Sequence, residues 1–462
     1  MKSKCEKICL VVLMATAILA ISAFVALGTF VSAQPVEVWN ITASGTYQGR
    51  AIATAGDCVY LAGLTDPGGA SFDDAFLNKY SSTDGTLIWN VSWGGTGYDS
   101  GWATATDDSM VYLAGTCPAG KFDSDAYLNK YDKDGNLIWN VTWSGTGNDE
   151  GNAIATAGDC VYLAGDRNVL PREGGYSSVF LNKYDKDGNL IWNITWGGTD
   201  FDASSAAVAT TGDYAYLAGD TIDKVFLNKY DKDGNLLWNI SWGETTVWEF
   251  AYAIATGDST VYLAGTTDLD AFLNKYDKDG TLIWNTTWVN TTGLATATGD
   301  NAVYLAGWSG NPFESPQAFL NKYDKDGTLI WNITRVNASG YATATGDNAV
   351  YLAGENNDGA FLVKFSEPTP TPTENETGEC KTLWYFDDQS VKCQQKQFCG
   401  DYMYESLRTF ETEEECKAAF ETYLKEKGKV TSTPTPAPPG FEVGFAIAGL
   451  LAIAYLVLKR RK

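Results

Sequence analysis

Histidine is absent from all 462 residues. That removes Ser-His-Asp and Cys-His nucleophile systems, histidine general bases and imidazole metal ligands together. Any chemistry would fall to carboxylates, lysine, tyrosine, cysteine or a bound cofactor. No catalytic, metal-ligating or cofactor-binding residue is assigned, and a non-enzyme is expected. Charge is also scarce, at 19% of residues, and lopsided, with Asp+Glu 57 against Lys+Arg 33 and a formal net charge of -24. A surface that acidic repels phosphate backbones, which argues against a nucleic-acid partner. What the chain has instead is 44% hydrophobic and 13% aromatic residues, enough for one large or two ordinary domains.

The two ends read as addresses. Lys2, Lys4 and Lys7 precede an apolar run from Ile8 to about Val31, and "VSA" closes at Ala33. Residues 1–33 are expected to be a secretory signal peptide, with an uncleaved anchor as the alternative. At the other end, Phe441 to Leu458 is apolar enough for a membrane span, and Lys459, Arg460, Arg461 and Lys462 would hold the terminus in the cytoplasm. Pro439, Gly440 and Phe441 stand just before it. Triplet, span and basic tail over 439–462 resemble the archaeal PGF-type sorting signal. That resemblance implies an archaeosortase that removes the tail and attaches a lipid; a permanent transmembrane helix is the plainer reading. Either places the bulk of the protein outside the cell, held at the membrane.

Between the ends, four phrases recur: "AIAT" or "ATAT", "VYLAG", "FLNKY" and "LIWN". Each is rich in β-branched and aromatic residues and bounded by Gly, Asp or Asn, so each reads as a strand. The Asp-Gly of "KDGN" marks a tight hairpin. Trp39, Trp89, Trp139, Trp192, Trp238, Trp284 and Trp331 recur every 46 to 53 residues. Four strands at that period predict an all-β fold, a β-propeller with seven four-stranded blades over 34–365. The first tryptophan strand, "VEVWNIT", precedes every other strand, and the last block ends at "AFLVKF" without one. The N-terminal strand is therefore expected to complete the last blade, removing an open edge.

The phrases "DAFLNKYDKDGTLIWN", "WGGTGYDSG" and "VYLAGTT" resemble the SBBP-type propeller repeats of secreted bacterial and archaeal proteins over residues 36 to 365. The resemblance implies an extracellular propeller and no reaction. Later blades lose "GGTGYD", so loop roles do not carry over to them. "DGNLIW" also resembles the tryptophan-docking phrase of quinoprotein propellers, which usually place one more residue between Asp and Gly and have eight blades. It is similar to the sialidase Asp-box too, but with three residues rather than two between Gly and Trp. A hairpin turn followed by a tryptophan packed between blades explains both. "DKDGN" begins like a calcium loop, yet strand residues stand where the loop's twelfth-position glutamate belongs.

Alternating strand direction puts the short first-to-second and third-to-fourth turns on one face. The long, variable loops share the other, where binding usually lives. That face carries Tyr98, Asp99, Trp102, Phe201, Asp202, Trp248, Glu249, Trp308 and Phe313. Aromatics beside carboxylates suit a glycan or a cation, so an extracellular glycan or protein ligand is the expected partner. The same residues also suit ordinary loops, and no site is read in the inner-strand phrases.

Asn40, Asn90, Asn140, Asn193, Asn239, Asn285 and Asn332 each begin N-x-[ST] after a blade tryptophan, and Asn290, Asn337 and Asn375 add three more. Period-2 alternation turns these asparagines away from the Trp face, so some are expected to be glycosylated. Residues 366–378 and 429–438 are Pro/Thr linkers. Between them, residues 379–428 hold Cys380, Cys393, Cys399 and Cys416, which imply two disulfides. A helix is expected from Thr412. "CKTLWYF", "CGDY" and "FETEEECKAAF" resemble part of a Kunitz-type domain. That resemblance implies the pairs Cys380–Cys399 and Cys393–Cys416 and puts Lys381 at the protease-facing position. The outermost cysteine pair of that family is missing. No disulfide is expected among Cys58 and Cys160, which start equivalent strands, and Cys117, expected to follow one. The leading expectation is an anchored, glycosylated binding or adhesion propeller; a polysaccharide-acting enzyme or quinoprotein, and display of a protease inhibitor, are the rivals.

Overall fold

The computed structural model describes residues 34–43, 46–65, 73–95, 97–107, 109–119, 123–145, 147–168, 177–197, 203–221, 224–243, 249–257, 259–299, 301–310, 315–366, 381–387, 392–398, 409–410 and 417. The chain forms two compact units, Met1–Pro370 and Thr371–Lys462.

Seven four-stranded antiparallel sheets build the first unit, a seven-bladed β-propeller. Six follow chain order, as blade 1 does with Thr46–Ala55, Cys58–Thr65, Ala75–Ser81 and Leu87–Trp93. The seventh is composite. Ala338–Gly346, Ala349–Asn356 and Gly359–Ser366 are completed by the N-terminal strand Val36–Ala43. Glu37 lies opposite Phe365 and Ala43 opposite Ala360, so the ring closes as the displaced tryptophan strand requires. The first strands meet their counterparts in neighbouring blades all the way round, including blade 1 against blade 7.

Burial explains the sequence phrases. Second and third strands are covered on both faces, so Val59, Leu61, Phe76 and Leu77 are fully interior and the phrases read as unbroken apolar runs. Fourth strands alternate: Trp89, Val91 and Trp93 turn inward while Ile88, Asn90 and Ser92 stay exposed. The glycine of "LAG" has a steric cause. A Cβ on Gly115 would lie 1.6 Å from the Ser100 carbonyl oxygen, where the first strand folds over it.

The repeated "YDKDGNLIW" is the joint between blades. Lys79 Nζ and Trp89 Nε1 of blade 1 both donate to the Lys133 carbonyl in the blade 2 turn, each at 2.8 Å. Lys130 and Trp139 do the same to Lys186, at 2.7 and 2.9 Å. The turn glycine lies against the preceding blade's indole: a Cβ on Gly135 would sit 3.1 Å from the Trp89 ring, so the ring would have to give way. Inside the turn, both oxygens of Asp132 accept hydrogen bonds, from the Asp134 and Asn136 amides and from Asn136 Nδ2. Those bonds hold its carboxyl below the usual carboxylate range. Blade 7 receives its fourth strand from the N-terminus and so has no such turn. Accordingly, Trp331 Nε1 of blade 6 is buried without a hydrogen-bond partner among the described residues.

Cys58 and Cys160 do start equivalent strands, but Cys117 lies within Val111–Pro118 rather than after it, because pairing continues to Pro118 opposite Ser124. All three thiols are free.

In the second unit, Lys381–Asp387 pairs antiparallel with Lys392–Phe398 and with Thr409–Phe410. Lys381 opens the central strand and Cys393 lies on its neighbour. Cys380, Cys399, Cys416 and Asn375, the sorting segment 439–462 and the signal segment 1–33 lie outside the described residues, as does the predicted helix apart from Lys417. Among the described residues no helix is long and apolar enough to cross a membrane.

Candidate functional site at the propeller axis

The first strand of every blade slips register near its middle. In six blades one residue is left over: Arg50, Trp102, Asn152, Tyr252, Leu294 and Tyr341. Blade 4 leaves two, Ser205 and Ala206. Such bulges re-aim a side chain. In three successive blades, 7, 1 and 2, the extra side chains meet where neighbouring first strands adjoin around the ring. The Arg50 guanidinium lies 4.2 Å from the Tyr341 ring centre and 5.0 Å from that of Trp102. Tyr341 Oη donates to Glu355 Oε1 at 2.5 Å, Trp102 Nε1 donates to Thr116 Oγ1 at 3.1 Å, and Arg50 Nη2 donates to Gln48 Oε1. Burial, with Glu355 beside it, raises the Tyr341 phenol well above its ordinary range. In blade 5 the bulge residue Tyr252, 37% exposed, stacks on Phe250 of its own strand at 5.9 Å. The result is an axial surface of aromatic faces fringed by hydroxyl, amide and carboxylate groups, able to stack on and hydrogen-bond a polar ligand.

Below the bulges the first strands carry a closed cycle. Thr106 Oγ1 donates to the Thr54 carbonyl, Thr156 to Thr106, Thr210 to Thr156, Thr256 to Thr210, Thr298 to Thr256, Thr345 to Thr298 and Thr54 to Thr345, at 2.7 to 3.0 Å. The inner-strand threonines, in which sequence reading found no role, thus bind the seven blades into one ring.

The long-loop expectations fare unevenly. Tyr98 is 64% exposed. Asp99 is a correction: it is 3% exposed because it turns inward to accept from the Gly95 amide at 2.9 Å, anchoring its own loop. Asp149 does the same for Gly145, at 2.5 Å. Burial, the largest influence, pushes the Asp149 carboxyl up to about 6, against the opposing pull of the Gly145 amide and Arg167. Trp102 belongs to the axial group rather than to a loop. Glu249 is half-buried and accepts from Thr267 Oγ1 at 3.3 Å; Trp308 is half-buried opposite Thr292. Phe201, Asp202, Trp248 and Phe313 lie outside the described residues. Of the rim asparagines, Asn40, Asn90, Asn140, Asn193, Asn239 and Asn285 are exposed, as are Asn290 and Asn337, whereas Asn332 is half-buried.

On the short-turn face a cavity of about 1030 Å³ reaches from blade 4 to blade 7, lined by Thr211, Tyr262, Lys275, Tyr304, Lys322 and ring threonines. Its Tyr and Lys residues are the repeated joint residues, so its lining follows from how blades dock.

Arg50, Tyr341 and Tyr252 escaped the sequence reading, although a signal was present. In "GRA", "GWA", "GNA", "AYA", "GLA" and "GYA" the middle residue changes while its flanks barely do.

Residues 439–460 match the PGF-CTERM motif. The motif marks a membrane-associated, surface-anchored extracellular protein and implies archaeosortase processing. Residues 73–241, less than half of the chain, match the family of outer membrane protein assembly factor BamB. No curated protein matches the chain. Among solved structures, a chain of the mitotic checkpoint complex is 9% identical with a TM-score of 0.50, over 72% of this chain and 92% of that one. Raptor of Chaetomium thermophilum is 10% identical with a TM-score of 0.50, over 72% of this chain and 29% of its own length. At such identities the likeness is one of fold alone.

Proposed function

We propose that this chain is a surface-displayed binding propeller that acts by recognition rather than catalysis, with the axial surface as its binding site and an extracellular carbohydrate as its ligand class. One observation carries the reading: in six blades the bulge residue changes, as Arg50, Trp102, Asn152, Tyr252, Leu294 and Tyr341, while the residue after it is always alanine and the one before it is glycine in all but one. Trp102, Tyr252 and Tyr341 offer ring faces to sugars, Arg50 holds two of those rings in place, and Gln48 and Glu355 offer polar partners for hydroxyls. The match to a protein described as an assembly factor agrees with a binding role. The SBBP-like repeats agree with an extracellular one, and the rim sequons supply glycosylation sites.

The test is a glycan array probed with the full extracellular chain and with Trp102→Ala and Tyr252→Ala. Binding that both variants lose, with unchanged melting, supports the reading. Binding that both retain moves the site elsewhere, and turnover of a bound polysaccharide would make the protein an enzyme. Trypsin inhibition by the Thr371–Lys462 unit tests the Kunitz-like resemblance of the cysteine module separately.

A further inference from the structure

Each of the seven sheets ends on its tryptophan strand, at the rim. The outer side of such a strand presents unpaired backbone groups, a template for pairing with another chain. These edges are also apolar. Leu87 is 48% exposed and Ile88 50%, and the corresponding pairs in blades 2 to 5 are exposed by 44% to 52%. The strands "LIWNVSW", "LIWNVTW", "LIWNITW", "LLWNISW" and "LIWNTTW" are near copies. Five almost identical sticky edges on one molecule meet five on the next, a strong invitation to edge-to-edge association.

The sequon sits where it can intervene. Ile88, Asn90 and Ser92 share the exposed face of their strand, with Trp89, Val91 and Trp93 turned the other way. Asn140, Asn193, Asn239 and Asn285 repeat that placement. A glycan on any of them projects beside the exposed Leu-Ile pair and over the open edge. The remaining two blades differ in a telling way. In blade 6 Asn332 is half-buried, and so is Ile330 beside it. In blade 7 Asn40 Nδ2 donates to Glu37 Oε1, and the edge is charged instead: Arg335 Nη1 donates to Glu37 Oε2 at 2.8 Å. Charge on an edge strand is another way of blunting it.

We infer that N-linked glycans on Asn90, Asn140, Asn193, Asn239 and Asn285 are edge caps that block strand pairing between molecules, and that Asn40 and Asn332 are left unmodified. The inference rests on the surface-displayed, glycosylated reading above. The donor is a lipid-phosphate-linked oligosaccharide. The asparagine Nδ2 bonds to the anomeric carbon as the bond from that carbon to the phosphate oxygen breaks. The amide loses one proton, and the lipid phosphate leaves.

Peptide mass spectrometry of the full chain from its own cells is expected to find glycan on the five and none on Asn40 and Asn332. Enzymatic deglycosylation of the folded protein, and separately the variant Ser92→Ala, Thr142→Ala, Thr195→Ala, Ser241→Ala, Thr287→Ala, tests the cap by light scattering. The five hydroxyl residues are exposed, so their loss leaves the fold intact. Self-association is expected to set in at a concentration at least tenfold lower than for the glycosylated protein. Ile88→Lys with Ile138→Lys, Ile191→Lys, Leu237→Lys and Ile283→Lys is expected to reverse it. Five bare asparagines would overturn the modification itself. Five occupied ones, with no change in association on removal, would overturn the cap and leave the modification standing.

Discussion

Thr54 Oγ1 donates to the Thr345 carbonyl at 2.8 Å, joining residues 291 positions apart in sequence. It is the closing member of a seven-hydroxyl cycle whose other six bonds link successive blades. Thr54→Val keeps the shape, removes the donor and leaves the Thr345 oxygen without it. A lost hydrogen bond of this kind costs about 1 kcal/mol. Thr54→Ser restores a donor. Denaturant unfolding of the three proteins is expected to rank wild type and Thr54→Ser together, above Thr54→Val; equal midpoints for all three would show that the cycle adds nothing to closure.

The blade joint makes a sharper contrast between two glycines of similar backbone. Gly188 has φ +85° and a Cβ there would sit 3.1 Å from the Trp139 ring; Gly158 has φ +54° with nothing within 4 Å. Alanine at either pays for the left-handed conformation, about 1 kcal/mol. At Gly188 it also pushes the indole off the turn and stretches its bond to the Lys186 carbonyl. Gly188→Ala is expected to be the more destabilising by about 1–2 kcal/mol, near the cost of modest overpacking. Thermal unfolding of the pair reads the difference directly.

Most of the architecture was legible because duplication wrote it seven times. Blade count, strand count and closure by the Trp39 strand follow from where the tryptophan phrase begins and ends. The axial group was less legible. A bulge adds one residue to a strand, and period-2 alternation read through it puts Arg50 and Tyr341 on the wrong side. Asp99 misled for a related reason: a carboxylate in a Gly-rich loop looks like a ligand group, whereas the loop's own backbone amide has claimed it. The threonine cycle was hidden because six of its bonds join residues 42 to 54 positions apart and the seventh residues 291 apart, a relation no local pattern carries.

Asp149 gives the pH prediction. Its carboxyl is pushed up to about 6 in the folded protein, from 3.8, chiefly by burial. Between those values the unfolded chain has already lost the proton that the folded one keeps. Stability contributed by this group therefore falls as pH rises from about 4 to about 6, and stays low above. Asp149→Asn retains an oxygen for the Gly145 amide and cannot ionise. The stability difference between variant and wild type is expected to favour the variant increasingly across that window. A difference independent of pH would mean that Asp149 titrates at its ordinary value.

Arg50 tests whether the axial group is held by ring stacking or only by charge. Its guanidinium has two faces, and Tyr341 and Trp102 lie within 4.2 and 5.0 Å of it. Lysine keeps the charge but offers a compact ammonium with no plane to stack, so it cannot serve both rings at once. Cation–π contacts at partly exposed sites are worth about 0.5–1 kcal/mol each. Arg50→Lys is therefore expected to lose about 1 kcal/mol against wild type, and Arg50→Ala more, since it also strips the alkyl stem from between the rings. If Arg50→Lys matched wild type in denaturant midpoint, the sandwich would be a matter of charge alone. Ring spacing at the axis would then be set by the threonine cycle beneath it rather than by Arg50.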